Sequence, residues 1–279
     1  MNISNYAKEK LQSSLGKSEV SFKYEINDMP LSSYLYKKES SDKLFVILNG
    51  ALDRNRTTAL TYHRYSWHPL FDGSVLYIAD PTLFKHSSIS LAWYMGDKYT
   101  PLYPYLKDFI LSVASGLNIS TSKLVLYGSS GGGFSAIQLA SFIASGALAV
   151  CINPQTNIIK YVETNRDPFL AQCFSASWND HQELSKNHRF NAIENVKLNN
   201  TKILYIQNET DNFHVKHHFE PFITQLGITN WQKNFEIDEE NQSRVQVLWY
   251  KHESGHAAEP KECMPEIMRA INYMIDKVK

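Results

Sequence analysis

Cysteine is scarce: Cys151, Cys173 and Cys263 are the three in 279 residues. They are odd in number, widely spaced and form no CxxC pair, which excludes a disulfide framework and a cysteine zinc site. They read as reduced thiols in a cytoplasmic protein. No apolar run reaches about 18 residues, so no transmembrane helix is expected. The first twenty residues lack the apolar centre of a secretory signal and read as a polar lead-in. Charge of one sign is not in excess either, with 28 Lys and Arg against 28 Asp and Glu. That balance argues against a nucleic-acid binder and against a polybasic membrane-surface protein. Repeats, low-complexity tracts and Pro/Gly/Ser linkers are missing, so 1–279 reads as one domain. Among ten histidines, His214, His217 and His218 lie closest together. No HExxH or similar pattern surrounds them, and no metal is expected.

What is present is a globular composition, 43% hydrophobic and 20% charged, arranged in alternation. VSFKYEI (20–26) and LSSYLY (31–36) read as an antiparallel opening pair. KLFVILNG (43–50) is nearly all apolar, as a strand covered on both faces must be. Segments 74–80, 123–128, 147–153, 202–208 and 245–250 repeat that form. Helical patterns occupy 102–116, 132–145, 215–227 and 261–278. Strand alternating with helix predicts an α/β fold, a mostly parallel sheet with helices on both faces. The polar, aromatic stretch 154–196, with Phe174 and Trp178, breaks the alternation and reads as a lid-like insertion.

The sharpest local signal is Tyr127-Gly128-Ser129-Ser130-Gly131-Gly132-Gly133. Only Ser130 has glycines two before and two after it, the G-x-S-x-G spacing of a nucleophile on a tight strand-to-helix turn. A P-loop would need a lysine after the glycines, and a dinucleotide fingerprint needs G-x-G-x-x-G; neither register exists. Partners are expected in the order acid, then histidine, after later strands. Strand 202–208 leads to Glu209 and Asp211, of which the deeper Asp211 is preferred. Strand 245–250 leads to His252 and His256, of which His256 is preferred. The oxyanion hole would use the Gly131 amide and that of Gly50 or Ala51, in the turn after 43–48. Arg54 and Arg56 follow that turn and could meet phosphates or an acidic glycan. Trp67, Trp93, Trp178, Trp231 and Trp249 could include a sugar-stacking ring, although packing is the commoner use.

With these residues in place, the chain resembles α/β-hydrolase-fold proteins, and more narrowly bacterial capsule polysaccharide O-acetyltransferases of the meningococcal serogroup A type. The resemblance rests on Tyr127-Gly128-Ser129-Ser130-x-Gly132-Gly133, Ile152-Asn153-Pro154-Gln155, Asp211-Asn212-Phe213-His214 and Ser254-Gly255-His256. It spans about 123–260, with an equivalent turn at Asn49-Gly50-Ala51. It places Gln155 and His214 among residues contacting substrate or donor. Where that family has a basic residue after the nucleophile, this chain has Gly131. The resemblance implies O-acetylation of a surface polysaccharide sugar, with acetyl-CoA as donor and no permanently bound cofactor. The residues alone imply acyl chemistry through Ser130, His256 and Asp211. A carboxylesterase or deacetylase would use the same three residues, and a non-catalytic binding protein of this fold would usually lack one of them.

Overall fold

The computed structural model describes residues 1–143, 146–240 and 242–278. Eight strands form one sheet: β1 (Glu19–Ile26), β2 (Met29–Tyr36), β3 (Leu44–Leu48), β4 (Ser74–Ile78), β5 (Leu124–Ser129), β6 (Leu148–Ile152), β7 (Lys202–Asn208) and β8 (Val245–Tyr250). The spatial order is β1-β2-β4-β3-β5-β6-β7-β8. β1 and β2 make a hairpin whose two turn residues, Asn27 and Asp28, have φ of 45° and 63°. Asn and Asp tolerate that left-handed conformation, and such a turn matches the twist of the strands it joins. β2 also runs antiparallel to β4, and every pairing from β4 to β8 is parallel. The order and directions are those of the α/β-hydrolase fold.

The central strands are apolar throughout because both faces are covered. Leu44, Val46 and Leu48 of β3 join the core formed with helices Tyr103–Gly116 and Gly131–Ile143. Phe45 and Ile47 point the other way, into the core closed by helix Met264–Asp276. The period of two sends alternate residues to opposite layers, so continuous hydrophobicity marks a sheet with helices on both sides. Parallel strands also place the ends of β3, β5, β7 and β8 along one edge, where the loops that follow can converge.

Two expectations need correction. The polar lead-in holds helix Ile3–Gln12, capped by the Asn2 side chain accepting from the Asn5 N–H. Its Ile3, Ala7 and Leu11 are buried at a spacing of four, and a Cβ on Gly116 would come within 2.5 Å of Leu11. The helix expected at 215–227 begins at Asn212 and carries a π turn at Val215–Phe219 before Glu220–Leu226. The stretch read as a lid-like insertion, 154–196, contains helices Glu163–Phe169 and His181–Lys186 and leads into Ala192–Asn199, with Ile158, Phe169, Phe190 and Ile193 in the core. The last two residues of the helix expected at 132–145 lie outside the described residues. Among the described residues, no helix is long and apolar enough to cross a membrane.

Candidate active site

Ser130 stands between β5 and helix Gly131–Ile143, with φ at 55°. That left-handed backbone is unusual for a residue with a Cβ. It is held by the Ser130 N–H donating to Ile152 O at 2.9 Å and the Phe134 N–H donating to Ser130 O at 3.1 Å. Glycine is required on both sides by contact. A Cβ on Gly128 would lie 2.4 Å from the Gly132 carbonyl carbon, and one on Gly132 would lie 2.4 Å from Leu48 O.

Asp211 follows β7 and caps the next helix, its Oδ1 accepting the His214 N–H at 3.2 Å. Its Oδ2 is 2.7 Å from His256 Nδ1, and His256 Nε2 is 2.9 Å from Ser130 Oγ. The Asp211 carboxyl is held well below its ordinary value. Burial opposes that fall, but the hydrogen bonds from His214 and His256 outweigh it. An ionised carboxylate accepts from His256 Nδ1–H, leaving Nε2 free to accept the serine proton. A hydroxyl, a base and an orienting acid in hydrogen-bonded series is the geometry that activates a serine. The rivals go elsewhere: Glu209 faces Lys233 at 3.5 Å, and His252 Nδ1 is 2.6 Å from Ser254 Oγ. Asp211, His214 and His256 each have a possible metal-ligand atom within 4.8 Å of the others. A cation there would have to displace the Nδ1 protons that hold both rings to Asp211.

A cavity of about 660 Å³ opens over Ser130 and His256, lined also by Tyr62, His63, Trp67 and Tyr161. Of the proposed oxyanion donors, Gly50 and Ala51 line it and Gly131 begins the helix behind Ser130. The Gly50 N–H is already engaged, donating to His63 Nδ1 at 3.3 Å. Of the two alternatives in that turn, this leaves the Ala51 amide as the candidate.

The expected binding residues fare differently. Gln155 and His214 are buried and lie behind the serine, and neither lines the cavity. Gln155 Nε2 lies 3.0 Å from Ser130 Oγ and 2.9 Å from His214 Nε2, and His214 Nδ1 lies 3.1 Å from Asp211 Oδ1. Arg54 turns back on the chain, its Nε and Nη2 donating to Ser87 O at 3.3 and 3.1 Å, while its Nη1 is buried without a partner. Arg56 is exposed and outside the cavity lining. Trp93 is fully buried, Trp231 and Trp249 pack on Phe219, and Trp178 stacks on His181, leaving Trp67 at the cavity.

Tyr161 lines the cavity and was missed by motif reading, and His63, readable in the sequence only as part of a basic stretch with Arg64, lines it too. Burial, with Arg64 adding to it, pushes His63 down to about 4, so its ring is neutral and Nδ1 accepts from Gly50. Tyr161 lines the cavity beside Ser130, and its pKa is raised by burial. The signal for Tyr161 was present: an aromatic residue seven positions past Pro154, in the stretch marked as a lid.

No family model matches the chain, and no curated protein matches it. Solved structures do. A mutant capsule O-acetyltransferase of Neisseria meningitidis serogroup A, in complex with CoA, aligns over 95% of this chain and 100% of its own. The TM-score is 0.61 and the identity 14%. A fluorophosphonate-binding serine hydrolase of Staphylococcus aureus covers 93% of this chain and 98% of its own, at TM-score 0.56 and 13% identity. A dienelactone hydrolase of Anabaena variabilis covers 94% and 98%, at TM-score 0.52 and 11% identity. At these identities the likeness is one of fold.

Proposed function

We propose that the protein is a serine-dependent acyltransferase that acetylates a hydroxyl of a bacterial surface polysaccharide, with acetyl-CoA as donor. The observation that carries the acyl chemistry is the unbroken series Asp211–His256–Ser130, at 2.7 and 2.9 Å. Ser130 Oγ attacks the thioester carbonyl as His256 Nε2 takes its proton, and the CoA thiol departs with that proton. The sugar hydroxyl then attacks the acyl-enzyme, gives its proton to His256, and Ser130 leaves and recovers it. Asp211 orients His256 and stabilises its cationic form. The Gly131 and Ala51 amides would meet the oxyanion.

Transfer to a sugar is supported by the full-length fold likeness to a capsule O-acetyltransferase that binds CoA. The aromatic lining of the cavity, which suits a sugar ring, points the same way. Tyr161 brings the 154–196 stretch to the serine, as the part of a lid that would hold water off the acyl-enzyme. A second reading, an esterase or deacetylase with water as acceptor, is favoured by the exposure of the His256 side chain, 34%, which lets water reach the base.

Intact-mass measurement after mixing with acetyl-CoA tests the central step. An acetylated protein, absent for Ser130→Ala, with CoA release accelerated by a capsular sugar, is the expected result. Rapid CoA release that no sugar accelerates would favour the hydrolase. Neither acetylation nor CoA release, alongside brisk cleavage of simple esters, would end the CoA-dependent reading.

A further inference from the structure

Behind the nucleophile, the contacts of Gln155 admit one arrangement of protons. Its Oε1 accepts from the Trp93 indole N–H at 3.0 Å. Indole nitrogen only donates, so the amide is fixed with Oε1 toward Trp93 and Nε2 toward the other two partners. Asp211, ionised, only accepts, so His214 carries its proton on Nδ1 and offers a lone pair at Nε2. One Gln155 N–H therefore goes to His214 Nε2 and the other to Ser130 Oγ. The serine keeps its own proton for His256. His214 also lies flat against His256, with ring centroids 3.8 Å apart and planes at 3°.

We propose that Gln155 is a further catalytic group that donates to Ser130 Oγ, and that His214 is a positioning residue that holds Gln155 from behind while sharing Asp211 with His256. The inference rests on Ser130 being the nucleophile. As His256 removes the hydroxyl proton, negative charge gathers on Oγ, and a buried N–H at 3.0 Å strengthens with that charge. In the acyl-enzyme the same oxygen is an ester oxygen and a poor acceptor. The bond is regained as Oγ is expelled, so the donor favours the charged states over the resting ones. Asp211 thus reaches the serine by two routes, one through the base and one through His214 and the amide.

Burial keeps His214 neutral by lowering its pKa; Asp211 opposes that fall, and His256 and His217 add to it. A proton on Nε2 would set donor against donor at Gln155.

The test is phosphonylation of the full chain by a fluorophosphonate probe, followed by intact mass. Ser130 Oγ bonds to phosphorus, fluoride leaves, and the hydroxyl proton passes to His256. Gln155→Met keeps the side-chain length and removes both donors. Its maximal phosphonylation rate should fall about 10- to 100-fold, the effect of one hydrogen bond to developing charge, with the half-saturating probe concentration unchanged. His214→Asn retains an N–H for Asp211 but offers Gln155 no acceptor at the Nε2 position, and should show a smaller loss of the same kind. An unchanged maximal rate in Gln155→Met overturns the inference and leaves Ser130 as nucleophile. No labelling of the unaltered protein, or equal labelling of Ser130→Ala, overturns the reading beneath it as well. Should Gln155→Met fail to unfold cooperatively on heating, His214→Asn decides, and an unchanged rate there overturns the inference.

Discussion

Ser130 keeps a left-handed backbone, with φ at 55°, that costs on the order of 1 kcal/mol or more for a residue with a Cβ. The turn is set by the glycines and by main-chain hydrogen bonds, none of which needs the hydroxyl. Ser130→Ala should therefore fold normally and lose roughly 10⁴-fold or more of acyl turnover, by the scale of triad knockouts. Unchanged turnover would point to Ser129 instead. The acid is open to the same kind of check. Asp211→Asn leaves an amide that cannot stabilise an imidazolium and favours the wrong tautomer, for a loss of roughly 10³- to 10⁴-fold. Glu209→Gln only frees a surface lysine 3.5 Å away and should change turnover little. Ester hydrolysis assays on the two variants separate them, and a reversal would move the acid by two residues.

Among the elements, the cavity wall and the histidine loop are joined by a buried ion pair. Arg64 Nε donates to Glu259 Oε1 at 2.8 Å, and the Tyr127 hydroxyl of β5 donates to the same carboxylate. The side chains are 5% and 0% exposed. Segment 62–67, the His256 loop and the strand beneath Ser130 thus meet at one point. Glu259→Ala would strand the Arg64 charge away from water, so urea unfolding should show a loss of about 3–5 kcal/mol. Replacing both partners by apolar residues of similar size should cost less than that single change. A loss below about 1 kcal/mol for Glu259→Ala would mean the pair is screened like one on the surface. The sequence showed the loops that converge, because an acid and a histidine after late strands follow a fixed topology. It did not show what their donors are committed to. Gly50 meets His63 thirteen residues on, and Arg54 meets the Ser87 carbonyl, contacts that only tertiary placement creates.

At the scale of the whole molecule, the sheet was legible because strands buried on both faces are mostly apolar along their length. The helix Ile3–Gln12 was not, because three apolar residues spaced by four are diluted by polar neighbours in a ten-residue segment. A consequence of the folded whole is sensitivity to acid. His63, His214 and His218 all have pKa values lowered by burial. Each uses one ring nitrogen to accept from an amide, of Gly50, Gln155 and Thr156 respectively. Protonation would turn each acceptor into a donor facing a donor. The unfolded chain has no such constraint and takes up these protons near pH 6.5. Stability from these rings is thus complete above about pH 6.5 and falls as the pH drops, by up to about 1.4 kcal/mol per pH unit for each fully buried ring. For His63 the fall levels off near its folded value of about 4. Asp211 extends the trend further down. Its folded pKa is lowered, so its contribution is present above about pH 4, the unfolded carboxyl value, and is lost as pH falls below that. Urea midpoints measured at pH 7, 6 and 5 should decline steadily. His63→Asn, whose amide oxygen can still accept the Gly50 N–H, should decline less. A midpoint that stays constant from pH 7 to 5 would show that the folded protein accommodates protonated histidines, and that the acceptor roles assigned to these rings are wrong.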